Sequence, residues 1–377
     1  MNKAIKYRIY PTEGQREMFA KTFGCCRKIY NLMLSDKIRS YEETKSFGKH
    51  TPAMYKEDYP YLKEVDSLAL ANVQLNLEEA VRNCLDKKRK KRNEFPKFKS
   101  SKHSRKSYTT NNQNGTVAIV DATYIRLPKI GNVKAVIHRN PEETWSIKSA
   151  TVSQDSDSRY YASVLFEFEG ISKETEISYD NAIGLDYASD GLYVNSDGNK
   201  GSNHKYYRES QKKLARYQRV LSRRKGSKKG EEKSNNYIKQ LLKVNRIHTH
   251  ITNERKDNLH KQSTEIANQY DVVCVESLDM KAISNKGFGN GKATMDNGYG
   301  MFISMLEYKL MDRGKKLVKV EKWYPSSQIC SCCGCIHAEM KNLTVRTMRC
   351  DCGLILDRDH NAAINIKNGG IRILKSA

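Results

Sequence analysis

The stretch "CSCCGCIHAEMKNLTVRTMRCDCG", from Cys330 to Gly353, holds six of the ten cysteines and constrains the fold more than any other segment. Cys330 and Cys333 are spaced C-x-x-C and followed by Gly334; Cys350, Cys352 and Gly353 repeat the pattern one residue tighter. Paired cysteines in tight turns let backbone amides support the thiolates, and two such pairs close a tetrahedral site around zinc. One structural Zn2+ on Cys330, Cys333, Cys350 and Cys352 is therefore expected. Cys332 and Cys335 also form a C-x-x-C, but the glycine after each chosen pair favours Cys330 and Cys333. The open coordination position of a catalytic zinc is not expected.

Thiolate ligands need a reducing compartment. The N-terminus "MNKAIKYRIYPTEGQ" lacks the apolar core of a secretion signal, and no stretch approaches the roughly 18 apolar residues of a membrane span. A cytoplasmic protein with no membrane partner is expected, and there clustered cysteines read as metal ligands before disulfides. The scattered Cys25, Cys26, Cys84 and Cys274 read as small core residues. Lys and Arg outnumber Asp and Glu by 67 to 43, a formal charge of +24, more than solubility requires and of the sign a polyphosphate attracts. A nucleic-acid partner therefore leads, on a chain whose 377 residues have room for two or three domains.

"KAIKYRIYPT" alternates apolar and basic residues up to Pro11, as a half-buried strand does. Ser67 is the expected N-cap of a helix on which Leu70, Val73, Leu77, Val81 and Leu85 recur at three- and four-residue steps. That helix runs into "DKKRKKRNEFPKFKSSKHSRKSY", where Phe95, Phe98 and Tyr108 interleave the bases. The pattern suits backbone neutralisation plus base stacking, and a solvated linker reads the same way. Between Thr116 and Glu176, alternating runs such as "VAIVDATYIRLP" and "YYASVLFEFEG" suggest a small β-barrel or sandwich. A second region opens near Ile183 with "AIGLDYASDGLYVNSDG", two short strands about a turn. Next comes a helix with Leu214, Tyr217 and Leu221 on one face and bases on the other; a second basic helix leads to the buried-type strand "DVVCVESL".

Asp186 closes "AIGLD", Glu276 closes "VVCVE", and Asp359 sits in "LDRDHNAAINI" near the start of a helix. Alone, each is uninformative, because acids at strand ends and helix starts are common for solubility and dipole reasons. Together they are what an RNase-H-like nuclease needs: an Asp on a strand leading into a hairpin, a Glu on a later buried strand, and a helix-borne Asp. Converging hard oxygens can hold two Mg2+, one activating water and the other stabilising the leaving oxygen of a phosphodiester. The cysteine segment then reads as an insertion just before the last acid.

At these residues the chain resembles the TnpB family, RNA-guided nucleases encoded by insertion sequences and related to type V CRISPR effectors. The resemblance covers nearly the whole chain, through "YRIYPTEGQ", "TFGCCRKIYN", "FPKFKS", "IRLPKIG", "IGLDYASDGLYVNSDG", "KKLARYQRVLSRR", "ERKDNLHKQS", "VVCVESLDMK", "GYGMFISMLEYKLMDRGKKLVKVEKWYPSSQICSCCG" and "DRDHNAAINI". It implies an α/β multidomain fold: an oligonucleotide-binding β-barrel wedge domain (1–10 and 106–180) split by a helical recognition domain (11–105), and an RNase-H-like RuvC nuclease domain (181–324 and 354–377) interrupted by a zinc-binding target-strand module (325–353). It also implies that the catalytic, magnesium-binding acids are Asp186, Glu276 and Asp359. Asp357 is the rival for the third role, but the family places its acid two residues before Asn-Ala-Ala, which is Asp359. Arg346 matches a position where the family carries an arginine near the scissile strand, with Arg349 close by. The tight Cys350-x-Cys352 pair departs from the commoner C-x-x-C and puts the zinc geometry in question.

The function the resemblance implies is RNA-guided DNA cleavage by a monomer. Its partners would be a structured guide RNA and double-stranded target DNA beside a short recognition motif. Three alternatives remain: an RNA-guided repressor of the same lineage, a type V effector with an array-derived guide, and a transposase that uses three acids and rejoins strands.

Overall fold

The alternation in "NKAIKYRIY" makes the first strand, β1 (Asn2–Tyr10), with Ile5, Tyr7 and Ile9 turned inward. The computed structural model describes residues 1–86, 94–169, 177–225, 233–285 and 291–376, and the chain divides into two compact units, Met1–Gly170 and Ile171–Ala377. In the first unit Thr12 and Gln15 cap each other's backbone at the start of α1 (Glu13–Thr44). Helix α2 (Ser67–Leu85) is capped by Asp66 rather than the expected Ser67, because the Asp66 carboxylate reaches the amide of Leu68 at 3.1 Å. Leu70, Val73, Leu77 and Val81 are buried as the periodicity predicts, whereas Leu85, at the free end of the helix, is exposed.

Strands β2 (Lys106–Asn111), β3 (Ala118–Val120), β4 (Tyr124–Leu127), β5 (Gly131–Val136), β6 (Ser146–Gln154) and β7 (Tyr160–Glu167) join β1 in one antiparallel sheet, in the order β2-β6-β7-β1-β5-β4-β3. The first strand of the chain thus lies in the interior of the sheet, pairing Asn2 with Glu167 on one side and Arg8 with Val136 on the other. The sheet is open, edged by β2 and β3: a half-barrel where the sequence suggested a small β-barrel or sandwich. Closure is unnecessary because Phe19, Ile29 and Met33 of α1 and Leu70 and Leu77 of α2 share one core with Val152, Val164 and Phe166 of the sheet.

Tyr108 belongs to that core, packed against Phe19 and Phe23, and so is no stacking surface for a base. Phe95 stacks on Phe47, and Phe98 is exposed. Residues 87–93 of the basic run lie outside the described residues, as do 170–176 and 226–232 of the other segments read above. Of the four scattered cysteines, Cys25, Cys26 and Cys274 are buried, while Cys84, on the last turn of α2, is only half-buried.

The second unit comprises β8 (Ala182–Tyr187), β9 (Tyr193–Asn195), α3 (Tyr206–Arg223), α4 (Asn235–Gln269), β10 (Val272–Glu276), α5 (Met280–Ile283), α6 (Gly291–Asn297), α7 (Tyr299–Met311), β11 (Lys316–Val320), the hairpin β12 (Thr347–Arg349) and β13 (Ile355–Asp357), and α8 (Arg358–Lys375). Its sheet runs β11-β10-β8-β9, the first three parallel and β9 antiparallel. Leu214, Tyr217 and Leu221 of α3 pack on Val244, Ile247 and Ile251 of α4, as their spacing predicted.

Side chains alternate between the two faces of a strand. Ile183, Leu185, Val273 and Val275 face α4 and α7, meeting Leu259, Ile266, Phe302 and Leu306. Ala182, Val272 and Cys274 face α8 and meet Ile366. The same parity carries Asp186 and Glu276 to the α8 face, at the C-terminal ends of neighbouring parallel strands.

Gly184 sets how close α8 comes. A Cβ there would collide with the carbonyl oxygen of Ala363 and lie 2.7 Å from the backbone nitrogen of Lys367, atoms that cannot swing aside. Gly184→Ala is expected to cost about 1–3 kcal/mol, as overpacking does, and to lower Tm by several degrees in a thermal melt.

Candidate active site and cysteine cluster

Asp186, Glu276 and Asp359 line one cavity of about 730 Å3, together with Arg346, Lys200 and Lys322. Val275 pairs with Leu185, so Glu276 and Asp186 are the next residues on adjacent parallel strands, which run about 4.8 Å apart. The Glu276 carboxylate accepts a hydrogen bond from the Ser326 hydroxyl. Asn297 donates from its buried side chain to the carbonyls of Ala188 and Gly191, holding the turn that follows Asp186.

Asp359 stands in the first turn of α8, and Asp357 caps that turn, its Oδ1 accepting from the amides of Asp359 (3.0 Å) and His360 (3.2 Å). One oxygen of Asp357 is thus committed to the helix. Asp359 instead faces the guanidinium of Arg346, 3.7 Å from Nη1 to Oδ1. Arg346 is two-thirds exposed, so its charge is available to the cavity. Arg349, on β12, is not among the residues lining it.

Burial, then the charges of Glu276 and Asp359, push the Asp186 carboxyl well above the usual carboxylate range. Burial also raises Glu276, with the Ser326 hydroxyl opposing, and raises Asp359, with Asp357 adding and Arg346, Arg358 and Lys200 opposing. A folded-state pKa raised above the unfolded value means that the folded chain holds the extra protons, so stability falls as pH rises through that window, upward from about 4. With chelator present, Asp186→Asn is therefore expected to raise Tm near neutral pH and flatten its decline with pH. Melts across pH check this, and divalent cations should produce a similar relief in the parent chain only.

The sulfurs of Cys330, Cys333, Cys350 and Cys352 all lie within 4.8 Å of one another. Cys330 and Cys352 are 3.6 Å apart and Cys333 and Cys350 3.4 Å, close to the roughly 3.8 Å edge that a tetrahedron with Zn–S of about 2.3 Å requires. Each pair sits in a turn whose glycine adopts positive φ, Gly334 at 82° and Gly353 at 92°, so the tighter second pair still closes the site. The thiols share protons: the backbone at Cys335 and the neighbouring thiols lower Cys333, while Cys350 and Cys352 are raised. This four-cysteine set suggests a structural zinc. Cys332 and Cys335 are exposed and outside the set, although Cys335 stays beside Cys333. Among the described residues these four cysteines form the close-set ligand group; the carboxylates line a wider cavity.

The knuckle is fastened to α8. Asn361 donates to the carbonyl of Ile329 and accepts from the amide of Ser331, at 2.8 and 2.9 Å. Asn365 donates to the carbonyls of Ser326 and Ile329, at 2.8 and 2.6 Å. Arg358 donates from its backbone to Arg346 and from its side chain to Asn342. Sequence reasoning quoted "NAAINI" and "PSSQIC" but assigned no role to Asn361, Asn365 or Ser326. Two asparagines four apart on the apolar face of a helix were the available signal, since a buried amide needs partners. Lys200 and Lys322 carried no such mark among so many bases.

Residues 164–286 match the family described as "Probable transposase", residues 299–366 the "Cas12f1-like, TNB domain", and residues 1–46 a "Helix-turn-helix domain". In this chain, residues of that last stretch form β1 and the single helix α1. A protein of Streptomyces pristinaespiralis named "Putative RNA-guided DNA endonuclease" is 33% identical, over 98% of this chain and 90% of that one. "Putative RNA-guided DNA endonuclease InsQ" of Escherichia coli K12 is 30% identical, over 99% and 93%. A solved chain described as "Cryo-EM structure of the Cas12f1-sgRNA-target DNA complex" shares the fold, with a TM-score of 0.58 at 13% identity over 98% of this chain and 99% of that one. Similarity sustained at this level along nearly the full length of two relatives makes the chain a member of the TnpB family, the OrfB proteins of IS605-type insertion sequences.

Proposed function

We propose that this protein is an RNA-guided DNA endonuclease that hydrolyses phosphodiesters at the cavity of Asp186, Glu276 and Asp359. The observation carrying the reading is that three acids far apart in sequence meet in one cavity that also presents Arg346, Lys200 and Lys322 to a phosphate. The names of the full-length relatives and the charge of +24 support it. On this reading the half-barrel is the wedge domain, split by a recognition domain at 11–105. The parallel sheet with α8 is an RNase-H-like RuvC nuclease, and 325–353 is its target-strand module.

Two Mg2+, when bound by the three acids, would supply charge neutralisation and an activated water. Hard oxygen donors at partly buried positions, where burial opposes their charge when no cation balances it, suit such ions. Ser326 orients the Glu276 carboxylate, and the Asp357 cap fixes the turn that presents Asp359. Arg346, two-thirds exposed, can follow the charge of a phosphate as it leaves Asp359. The cysteine knuckle does no chemistry; through Asn361 and Asn365 it holds the N-terminus of α8 in place. Guide pairing would select the sequence, and the protein would read a short adjoining motif.

The test is to purify the chain with its bound RNA, sequence that RNA, and present a duplex matching its guide with Mg2+. Cleavage dependent on the match, leaving 5′-phosphate ends, is expected. Guided binding with no cut would support the repressor reading, and strand joining would support the transposase named by the family match.

A further inference from the structure

Trp323 is the most exposed large apolar side chain among the described residues, at 84%. The other tryptophan behaves as expected of its size: Trp145 stacks on Phe168 at 4.5 Å and leans on Phe166. Leaving an indole in water forgoes burial of some 150–250 Å2 of surface. Folding gains nothing from it there.

Its surroundings say what could cover it. Lys322 and Tyr324, the residues on either side, both line the acid cavity, as do Arg346 and the exposed Leu343. The Lys322 ammonium lies 4.9 Å from the indole centroid. The ring also sits on a braced turn. The amide of Tyr324 donates to the carbonyl of Glu321 at 3.1 Å, its hydroxyl donates to the carbonyl of Asn365 at 3.2 Å, and its carbonyl accepts from Ser326. An exposed aromatic face beside a cation, on the turn between two residues that line a cavity suited to a phosphodiester, matches the two halves of a single-stranded nucleotide. Bases stack on aromatics whatever their identity, and the backbone follows positive charge.

We propose that Trp323 is a stacking platform for an unpaired nucleobase next to the phosphodiester held at the acid cavity, with Lys322 neutralising an adjoining phosphate. Its role in cleavage rests on the nuclease reading; the binding site itself does not. A duplex should be a poor ligand, because each base face is already covered by its neighbour. Trp323 is a positioning residue, holding the strand in register with the acids.

The chain has two tryptophans, so Trp145→Phe leaves Trp323 as the sole indole reporter. The full chain with its copurified RNA is titrated with a labelled short single-stranded DNA, the matching RNA, and a duplex, with Ca2+ in place of Mg2+. Indole fluorescence and probe anisotropy are read together. Quenching of Trp323 by a single strand is expected, and the DNA and RNA arms show which strand it serves. Trp323→Ala should weaken that binding about fivefold to thirtyfold, the lower part of the range for base–aromatic stacks. In cleavage assays it should raise KM more than it lowers kcat. Trp323→Phe should recover most of the loss, which a merely structural role would not predict for so exposed a side chain. Single-strand binding without quenching, quenching by duplex alone, or wild-type affinity in Trp323→Ala would each overturn the proposal. Quenching in a chain that never cuts DNA would leave the platform standing and reject the nuclease reading.

Discussion

Asp186→Ala, Glu276→Ala and Asp359→Ala should each reduce guided DNA cleavage at least about a thousandfold, some 4 kcal/mol of transition-state stabilisation, while guide RNA still copurifies. A thermal melt of Asp186→Ala is expected to show an intact fold. Burial and two neighbouring carboxylates already oppose its charge, so removing it relieves the folded state. Asp357→Ala provides the contrast. Asp357 lines the same cavity but its oxygen caps α8, so its loss should cost about 1 kcal/mol of stability and leave measurable cleavage. A Mg2+-dependent nicking assay on a plasmid bearing the guided sequence, run beside an RNA pull-down, separates these outcomes. Undiminished cutting by all three alanine variants would remove the active site from this cavity.

Cys330→Ser and Cys350→Ser should abolish zinc binding, taking metal content from about one per chain to near zero. The loss is large because a structural zinc contributes roughly 10 kcal/mol or more of binding free energy to a small module. The segment around the knuckle should become accessible to protease, while the sheet of β8, β10 and β11, with cores of its own on both faces, keeps a cooperative melt. Cleavage should fall at least about a hundredfold, even though no cysteine touches substrate. The route runs through Ser331, Ile329 and Ser326 to Asn361 and Asn365, and so to the first turn of α8 that carries Asp359. Cys332→Ser and Cys335→Ser should retain zinc. Metal analysis and limited proteolysis of the four variants test the ligand set, and loss of zinc from Cys332→Ser would reverse it.

Much of the site was legible before any fold was known, because the relevant signals are local. C-x-x-C and C-x-C, each followed by glycine, encode the two turns, and their separation leaves room for the chain to return. The continuous apolar runs in "AIGLD" and "VVCVE" encode buried strands ending in an acid. Boundaries were less legible: the cap of α2 is Asp66, one residue before the Ser67 that the pattern favoured. Tyr108 was misplaced for a related reason. An aromatic residue between lysines looks the same whether it stacks on a base or turns inward, and only Phe19 and Phe23, from a distant helix, decide which.

By itself, then, the sequence determined which residues could bind metal, that two of the acids close strands while the third starts a helix, and the sign of the charge a partner must carry. Periodicity, spacing and composition are properties of neighbours along the chain. Tertiary structure decided that β1 lies inside a sheet otherwise built from residues 106–167, that the sheet stays open, and that α8 presses close enough on Gly184 to bring Asp359 to the same cavity as Asp186 and Glu276. It also decided that a tryptophan near that cavity points into water. Such facts depend on long-range packing, whose energy is shared among many contacts and leaves no mark on any short segment.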